Sequence, residues 1–352
     1  MSEAAPSAER TADGTPGDLS LITGATGFIG GRLAERLADE GHRLRCLVRA
    51  SSDTSKLEDL GVEIVVGDLA DGRSLKAATE GCRQVFHCAA LVSDWATTEE
   101  ITRANVLGTR SLLEACTATS VERLIHFSTT DVYGHPGGAS IGEDHRATGF
   151  RNWYAETKLR AEAEIRHAET PGGLRAVILR PATVYGPGSE EVIGEIAKAI
   201  RAHHMLLIDG GRAIAGLCYV ENLIDAAKLA LRNDAALGQA FNVSDGIAVT
   251  WREFADDLAR GLGSPRVRWS LPYRLASGLG FSLEHSYRLL RRATGISTPP
   301  LLSRQAVQVL GRSQDFSNRK LREMLGWEPR VDYASGLRET VAWLLEHHLS
   351  ST

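Results

Sequence analysis

The stretch LSLITGATGFIGGRL, Leu19 to Leu33, decides the fold. A short β-type run leads straight into GATGFIG (24–30), and a helix-length amphipathic run (GRLAERLADE) follows. Gly24, Gly27 and Gly30 permit a tight turn, a close backbone approach to a pyrophosphate, and close packing of helix on strand. The helix N-terminus then offers unpaired N–H groups to the phosphate. A glycine triplet alone is a weak sign. Between a strand and a helix, inside a repeated pattern, it is a strong one.

The repeat is there. Strand-like runs recur at 19–24, 43–48, 62–67, 84–89, 123–128 and 175–180, with helical stretches between them. Strands alternating with helices predict an α/β fold, a doubly wound parallel sheet of the Rossmann kind. Residues 19–186 are read as the dinucleotide-binding core, and 220–246, ending in the strand AFNVS, as returning to it. Segments 187–219 and 247–345 form a smaller, mainly helical substrate-binding region. Residues 1–18, polar and rich in Ala, Pro, Ser and Gly, read as a disordered tail and not a signal peptide.

Composition narrows the function. With 352 residues, 43% hydrophobic and 24% charged, the chain suits a globular protein with a sizeable core. A net charge of −4 argues against a general nucleic-acid binder. Five cysteines lie scattered without a C-x-x-C pair, which fits a reduced, cytoplasmic protein with no metal site. No run of 18 apolar residues is present to span a membrane.

The end of the second strand bears on cofactor choice. An acid there would bond the adenosine ribose, whereas an arginine accommodates a 2′-phosphate. Here Val48 stands where the acid is usual and Arg49 follows, which favours NADP(H), with NAD(H) as the alternative. Asp68 and Leu69 are placed to cradle the adenine edge, and Ala89 and Ala90 to let the cofactor approach the fourth strand.

Two further stretches carry chemistry. FSTTDVYG (127–134) offers the hydroxyls of Ser128, Thr129, Thr130 and Tyr133 where a strand ends. Downstream, Tyr154 and Lys158 stand four residues apart in a helix-prone stretch, which puts both on one face. A lysine ammonium beside a phenol would stabilise the phenolate, bring its pKa toward neutrality, and let it exchange the proton that accompanies hydride transfer.

Taken together, GATGFIG, HCAA, ANVLGT, STTDVYG, YAETK and RPATVYGPG occur in an order that resembles the extended short-chain dehydrogenase/reductases. That superfamily holds nucleotide-sugar epimerases, dehydratases and 3β-hydroxysteroid dehydrogenases. The likeness runs from residue 20 to 188 and resumes in the final LGWEPRVDYASGLRETV. It implies Tyr154 as acid/base, Lys158 as its electrostatic partner and ribose ligand, and Thr129, five residues before Gly134, as the hydroxyl that binds the substrate oxygen. It further implies that Asn105 helps hold the lysine through water. Cofactor contacts are implied for Thr26, Phe28 and Ile29 within the glycine loop and for Pro181, Thr183 and Val184. Trp95, Asp131 and Tyr185 are candidates to touch substrate.

The branch can be narrowed too. The dehydratases' Asp-Glu pair falls here on Thr130 and Asp131, so the first acid is missing. The arginine that clamps a sugar-nucleotide diphosphate falls on Ala215. LCYVENLIDAAKLAL and DFSNRKLREMLGWEPRV resemble the 3β-hydroxysteroid dehydrogenase branch. Segment 265–304 has seven arginines against one acid, Glu284, a formal +6, with Trp269, Tyr273, Phe281 and Tyr287 among many leucines. It reads foremost as a lid over a lipophilic substrate, and alternatively as a peripheral membrane contact or a homodimer surface. The expectation is a dehydrogenase/reductase of a lipophilic ketone or secondary alcohol: a steroid, terpenoid, oxoacyl or polyketide-like compound. A nucleotide-sugar epimerase with tightly held NAD is the runner-up, and a redox-sensing binding protein a third reading that has no use for a proton relay.

Overall fold

The computed structural model describes residues 18–93, 96–148, 152–170, 172–294 and 303–348. Its centre is a seven-stranded sheet, parallel at every pairing. In chain order the first six strands are β1 (Ser20–Thr23), β2 (Leu44–Val48), β3 (Glu63–Val66), β4 (Gln84–His87), β5 (Arg123–Phe127) and β6 (Arg175–Pro181). Between them run α1 (Phe28–Asp39), α2 (Ser55–Asp59), α3 (Gly72–Thr79), α4 (Thr98–Thr102), α5 (Gly108–Ala118) and α6 (Trp153–Ala168).

Past β6 come β7 (Thr183–Tyr185), α7 (Glu195–Arg201), β8 (Leu206–Ile208), β9 (Leu217–Tyr219) and α8 (Val220–Arg232). The chain then forms β10 (Ala240–Val243), α9 (Trp251–Gly261) and β11 (Trp269–Leu271). Four helices follow: α10 (Tyr273–Thr294), α11 (Arg304–Gly311), α12 (Arg319–Leu325) and α13 (Tyr333–Trp343). The sheet order is β10-β6-β5-β4-β1-β2-β3, with the chain reversing direction between β1 and β4. At such a switch point the loops part and leave a crevice at the strands' carboxyl ends.

Alternation along the strands sorts two cores. Ile22, Phe86, Ile125 and Val177 face Leu33 and Leu37 of α1 and Leu223 and Ala227 of α8. Their neighbours Leu21, Val85, Leu124 and Ile178 face Leu75, Leu112 and Ile165 on the other side. A third core, under α9 and α13, gathers Tyr185, Leu217, Tyr219, Trp251 and Phe254. It forms because β7 and β9 pair with each other outside the main sheet.

The sequence expectation for residues 1–18 lies outside the described residues except at Asp18, whose carboxylate meets Arg83 at 2.6 Å. No described helix is long and apolar enough to cross a membrane. On α10 and the strand before it, Trp269, Leu275 and Phe281 are 70%, 52% and 58% exposed.

Leu124 is fully buried between β4 and β6. Leu124→Ala should lower unfolding stability by about 2–5 kcal/mol, whereas the exposed Leu279→Ala should change it by less than about 0.5 kcal/mol. Urea denaturation of both variants checks the contrast.

Candidate active site

The glycine loop leaves β1 at Gly24, whose φ of 73° lies in the left-handed region. A Cβ there would stand 2.7 Å from the Ala89 nitrogen, and one on Gly30 would stand 2.2 Å from the Gly24 carbonyl oxygen. Only glycine permits both approaches. Gly27 N–H closes the turn on Gly24 O at 3.1 Å. Helix α1 then starts with neither a side-chain cap nor an acid in its first turn. Its first N–H groups and positive dipole end are left for an anion. Thr26 and Gly27 are exposed beside the half-buried Phe28 and Ile29. The residues present fit a dinucleotide pyrophosphate.

Arg49 is exposed where β2 ends. Asp68 is exposed after β3, its carboxylate accepting from Ala70 N–H at 2.8 Å, and the half-buried Leu69 lies over Gly108. Ala89 and Ala90 line the exit of β4, where Ala89 N–H donates to Thr23 Oγ1 at 3.3 Å. Pro181 ends β6, and Thr183 is held by its hydroxyl on Ala215 O at 2.9 Å beside the half-buried Val184.

The hydroxyl cluster sorts itself by hydrogen bonds. Ser128 donates to Glu162 Oε1 at 2.6 Å. The Tyr133 hydroxyl donates to Asn242 Oδ1 at 2.7 Å and accepts from Arg180 at 2.7 Å. Among the described residues Thr129 Oγ1 only accepts, from Asp131 N–H at 3.1 Å, which leaves its proton to give. Thr130 is buried.

Helix α6 brings in the other pair. Asn152 caps it, accepting from Tyr154 N–H at 2.9 Å, so the tyrosine sits in the first turn at the crevice. Lys158, one turn on, is 2% exposed and donates to the Phe127 carbonyl. Burial pushes its pKa down to about 8, against the opposing pull of the Glu162 carboxylate and the Cys88 thiol. The buried ammonium therefore weighs against folding below about pH 8, a penalty that fades as pH rises from there toward the ordinary lysine value.

Tyr154 departs from expectation. Burial, then the carboxylates of Asp131 and Glu191, push its phenol above the ordinary tyrosine value. The Lys158 ammonium donates to the Phe127 carbonyl at the end of β5. These influences favour the protonated phenol.

Asn105 is held by its side-chain amide. It sits on a π-helical turn, accepts from Leu91 N–H at 2.7 Å, and donates to Leu91 O and Thr157 Oγ1, both at 3.1 Å. It fastens the loop after β4 to α6 beside Lys158, and its amide is engaged with those partners. Tyr185 is also corrected as a substrate contact. The pairing of β7 with β9 turns it into the third core, fully buried and 5.2 Å from the Tyr219 ring. Trp95 lies outside the described residues. Asp131 stands at the site, accepting from Gln305 of α11 at 3.2 Å and facing His135 at 3.5 Å.

Sequence reasoning missed Glu162 and Arg180. Glu162 is fully buried and takes Arg180 bidentately, at 2.9 Å on Oε1 and 2.6 Å on Oε2. Two signals were on the page: an acid eight residues after Tyr154 on the same helical face, and an arginine inside the apolar strand RAVILRP.

Tyr154→Phe should lower kcat about 100-fold or more while leaving dinucleotide affinity nearly intact. Thr129→Ala should cost more activity than Ser128→Ala, while Ser128→Ala should cost about 1–3 kcal/mol of stability by stripping a buried carboxylate of a donor. Steady-state kinetics and denaturation of the three variants separate these effects, and a reversed order for Thr129 and Ser128 would discard the assignment.

The site has relatives. The chain is 32% identical over 325 residues, 90% of its length and 94% of the relative's, to 4-hydroxy-2-methyl-3-oxo-4-farnesyl-3,4-dihydroquinoline-1-oxide ketoreductase of Stigmatella aurantiaca. It is 30% identical over 330 residues, 92% and 98% of the two chains, to 2-alkyl-3-oxoalkanoate reductase of Stenotrophomonas maltophilia. Among solved structures, MoeE5 in complex with UDP-glucuronic acid and NAD superposes with a TM-score of 0.72 at 25% identity, covering 93% of this chain and 98% of that one. Residues 20–244 match the pattern of one family, and with the glycine loop, the carboxyl-edge crevice and the relatives above they place the chain: it belongs to the NAD dependent epimerase/dehydratase family.

Proposed function

We propose that this protein is an oxidoreductase that reduces a ketone on a lipophilic small molecule, using NADP(H) in preference to NAD(H). The observation that carries this reading is a phenol, Tyr154, favoured in its protonated form, together with Thr129, whose hydroxyl accepts from Asp131 N–H and keeps its own proton to donate. Both groups suit one acceptor, a carbonyl oxygen. When bound, the nicotinamide supplies the hydride to the carbonyl carbon. Tyr154 gives its proton to the oxygen, Thr129 donates a hydrogen bond to the same atom, and the Lys158 ammonium offsets the charge that develops there. The carbon gains a hydride, the oxygen gains a proton, and the product is a secondary alcohol.

The substrate class rests on what is missing as much as on what is present. Position 215 is a fully buried alanine and has no cation to offer a diphosphate. Thr130 stands where an eliminating enzyme would need an acid. The names of the two reductase relatives, both acting on oxo groups of compounds with alkyl or farnesyl chains, favour the same class. Burying apolar substrate area contributes roughly 25 cal/mol per Å² before binding costs are subtracted. A large apolar ligand then needs no charged anchor. The described part of the segment from 265 onward suits the cover: α10 packs on α11, and α11 reaches the site through Gln305. The exposed apolar surface of α10 is the part suited to a membrane surface or a second copy.

Titrated by fluorescence, NADPH should bind more tightly than NADH, and Arg49→Ala should narrow the gap. Equal affinities, unchanged in Arg49→Ala, would remove the NADP preference. In a panel followed at 340 nm, hydrophobic ketones should drive NADPH oxidation, and UDP- or dTDP-hexoses should not be epimerised. Sugar turnover without net cofactor change would replace this reading with the epimerase.

A further inference from the structure

Three elements of the candidate site, α6, β6 and the loop after β5, meet at one buried carboxylate. Glu162 lies on α6 at four residues from Lys158 and eight from Tyr154, so all three share a helical face. Its Oε1 accepts from Ser128, the residue next to Thr129, at 2.6 Å, and from Arg180 Nε at 2.9 Å. Its Oε2 accepts from Arg180 at 2.6 Å and from Arg166 at 3.2 Å. Arg180, just before Pro181 on β6, passes the contact to the Tyr133 hydroxyl, which donates to Asn242 on β10. Burial alone would raise the Glu162 carboxyl, but the hydrogen bonds and charge of Arg180 outweigh it and hold it below the usual carboxylate range.

The surroundings of Lys158 are otherwise neutral. His87, on β4, is pushed down to about 3 by burial, then by the lysine itself. His126, on β5, is pushed well below the ordinary histidine value, again by burial first. Burial raises the Cys88 thiol, which stays protonated. Tyr154 is held as a phenol. Asn105, expected to help hold the lysine through water, is committed to Leu91 and Thr157. The carboxylate acting on Lys158 is Glu162.

We propose that Glu162 is a positioning residue for the reaction: it supplies the counter-charge to the Lys158 ammonium and clamps, through Ser128, the loop that presents Thr129. The proposal rests on the reading of Tyr154, Lys158 and Thr129 as the reacting set.

The test is the pH profile of kcat/KM for ketone reduction by the full-length protein. In the wild type, activity should fall above about pH 8 as Lys158 loses its proton. Glu162→Gln keeps the shape and most hydrogen bonds but removes the charge. It should move that descending limb acidward by roughly half a unit or more, with KM for the ketone little changed. Glu162→Asp restores the charge and should leave the limb in place even if the plateau drops. Because Glu162→Gln leaves Arg180 buried and unpaired, the double variant Glu162→Gln/Arg180→Met removes both charges and should show an acid shift of the same sign but smaller, since loss of the Arg180 cation raises the lysine again. A loss by the same factor at every pH, with the limb unmoved in both variants, would reduce Glu162 to a packing role and overturn the proposal. A substrate-free readout keeps the two readings apart. The Lys158 Cε chemical shift of the cofactor-free protein reports its titration directly, and should move with the charge at position 162. A moved titration without ketone turnover sinks the substrate reading and leaves Glu162 standing, and turnover with an unmoved titration does the reverse.

Discussion

Everything at this site follows from strand direction. Seven strands paired in parallel place all their carboxyl ends on one edge, so the loops after β1, β2, β4, β5 and β6 open on the same side. Residues as far apart in sequence as Gly24, Ala89, Thr129 and Pro181 become neighbours without any contact designed between them. The switch between β1 and β4 then opens a crevice where a ligand can lie across the sheet. An antiparallel sheet of the same strands would scatter these groups over two edges.

Beneath that edge the protein buries charge, which is expensive unless it is paired. Lys158 is answered by Glu162, and Glu162 in turn by Arg180. The chain of compensation is what allows an ammonium to sit 2% exposed without collapsing to the neutral form at neutral pH. The same low-dielectric setting favours the neutral form of Tyr154 as well, where burial and two carboxylates keep the proton on the phenol. Burial thus pulls both groups, four residues apart, toward their neutral forms, and the Glu162 carboxylate opposes it at Lys158.

Much of this was legible in the sequence wherever the determining interaction is local. The glycine loop announces itself because close approach within seven residues needs glycine, and the Tyr154–Lys158 spacing because one helical turn spans four. The strands could be read because both their faces are buried, which makes their runs apolar. What escaped depends on distant segments. The lysine's turn toward Phe127 and the upward push on Tyr154 by Asp131 and Glu191 are set by tertiary packing. Tyr185 was misread because nothing in VYGPG reveals that its strand pairs with residues 217–219. Glu162 and Arg180 meet across 18 residues, helix to strand, and only a charge within an apolar run hinted at it.

The seventh strand adds a temporal dimension. β10 is made after the whole segment from β7 to α8, yet it lies against β6, and its Asn242 accepts the proton of the Tyr133 hydroxyl. A chain emerging from the ribosome therefore carries the catalytic loop long before the residue that completes it. Until about sixty further residues have been synthesised, β6 presents an open edge of unpaired N–H and C=O groups. The six earlier strands can collapse together, but the final set of the loop is a late event in the birth of the molecule. Vectorial synthesis and high contact order thus conspire to delay competence until the second region is on hand to protect it.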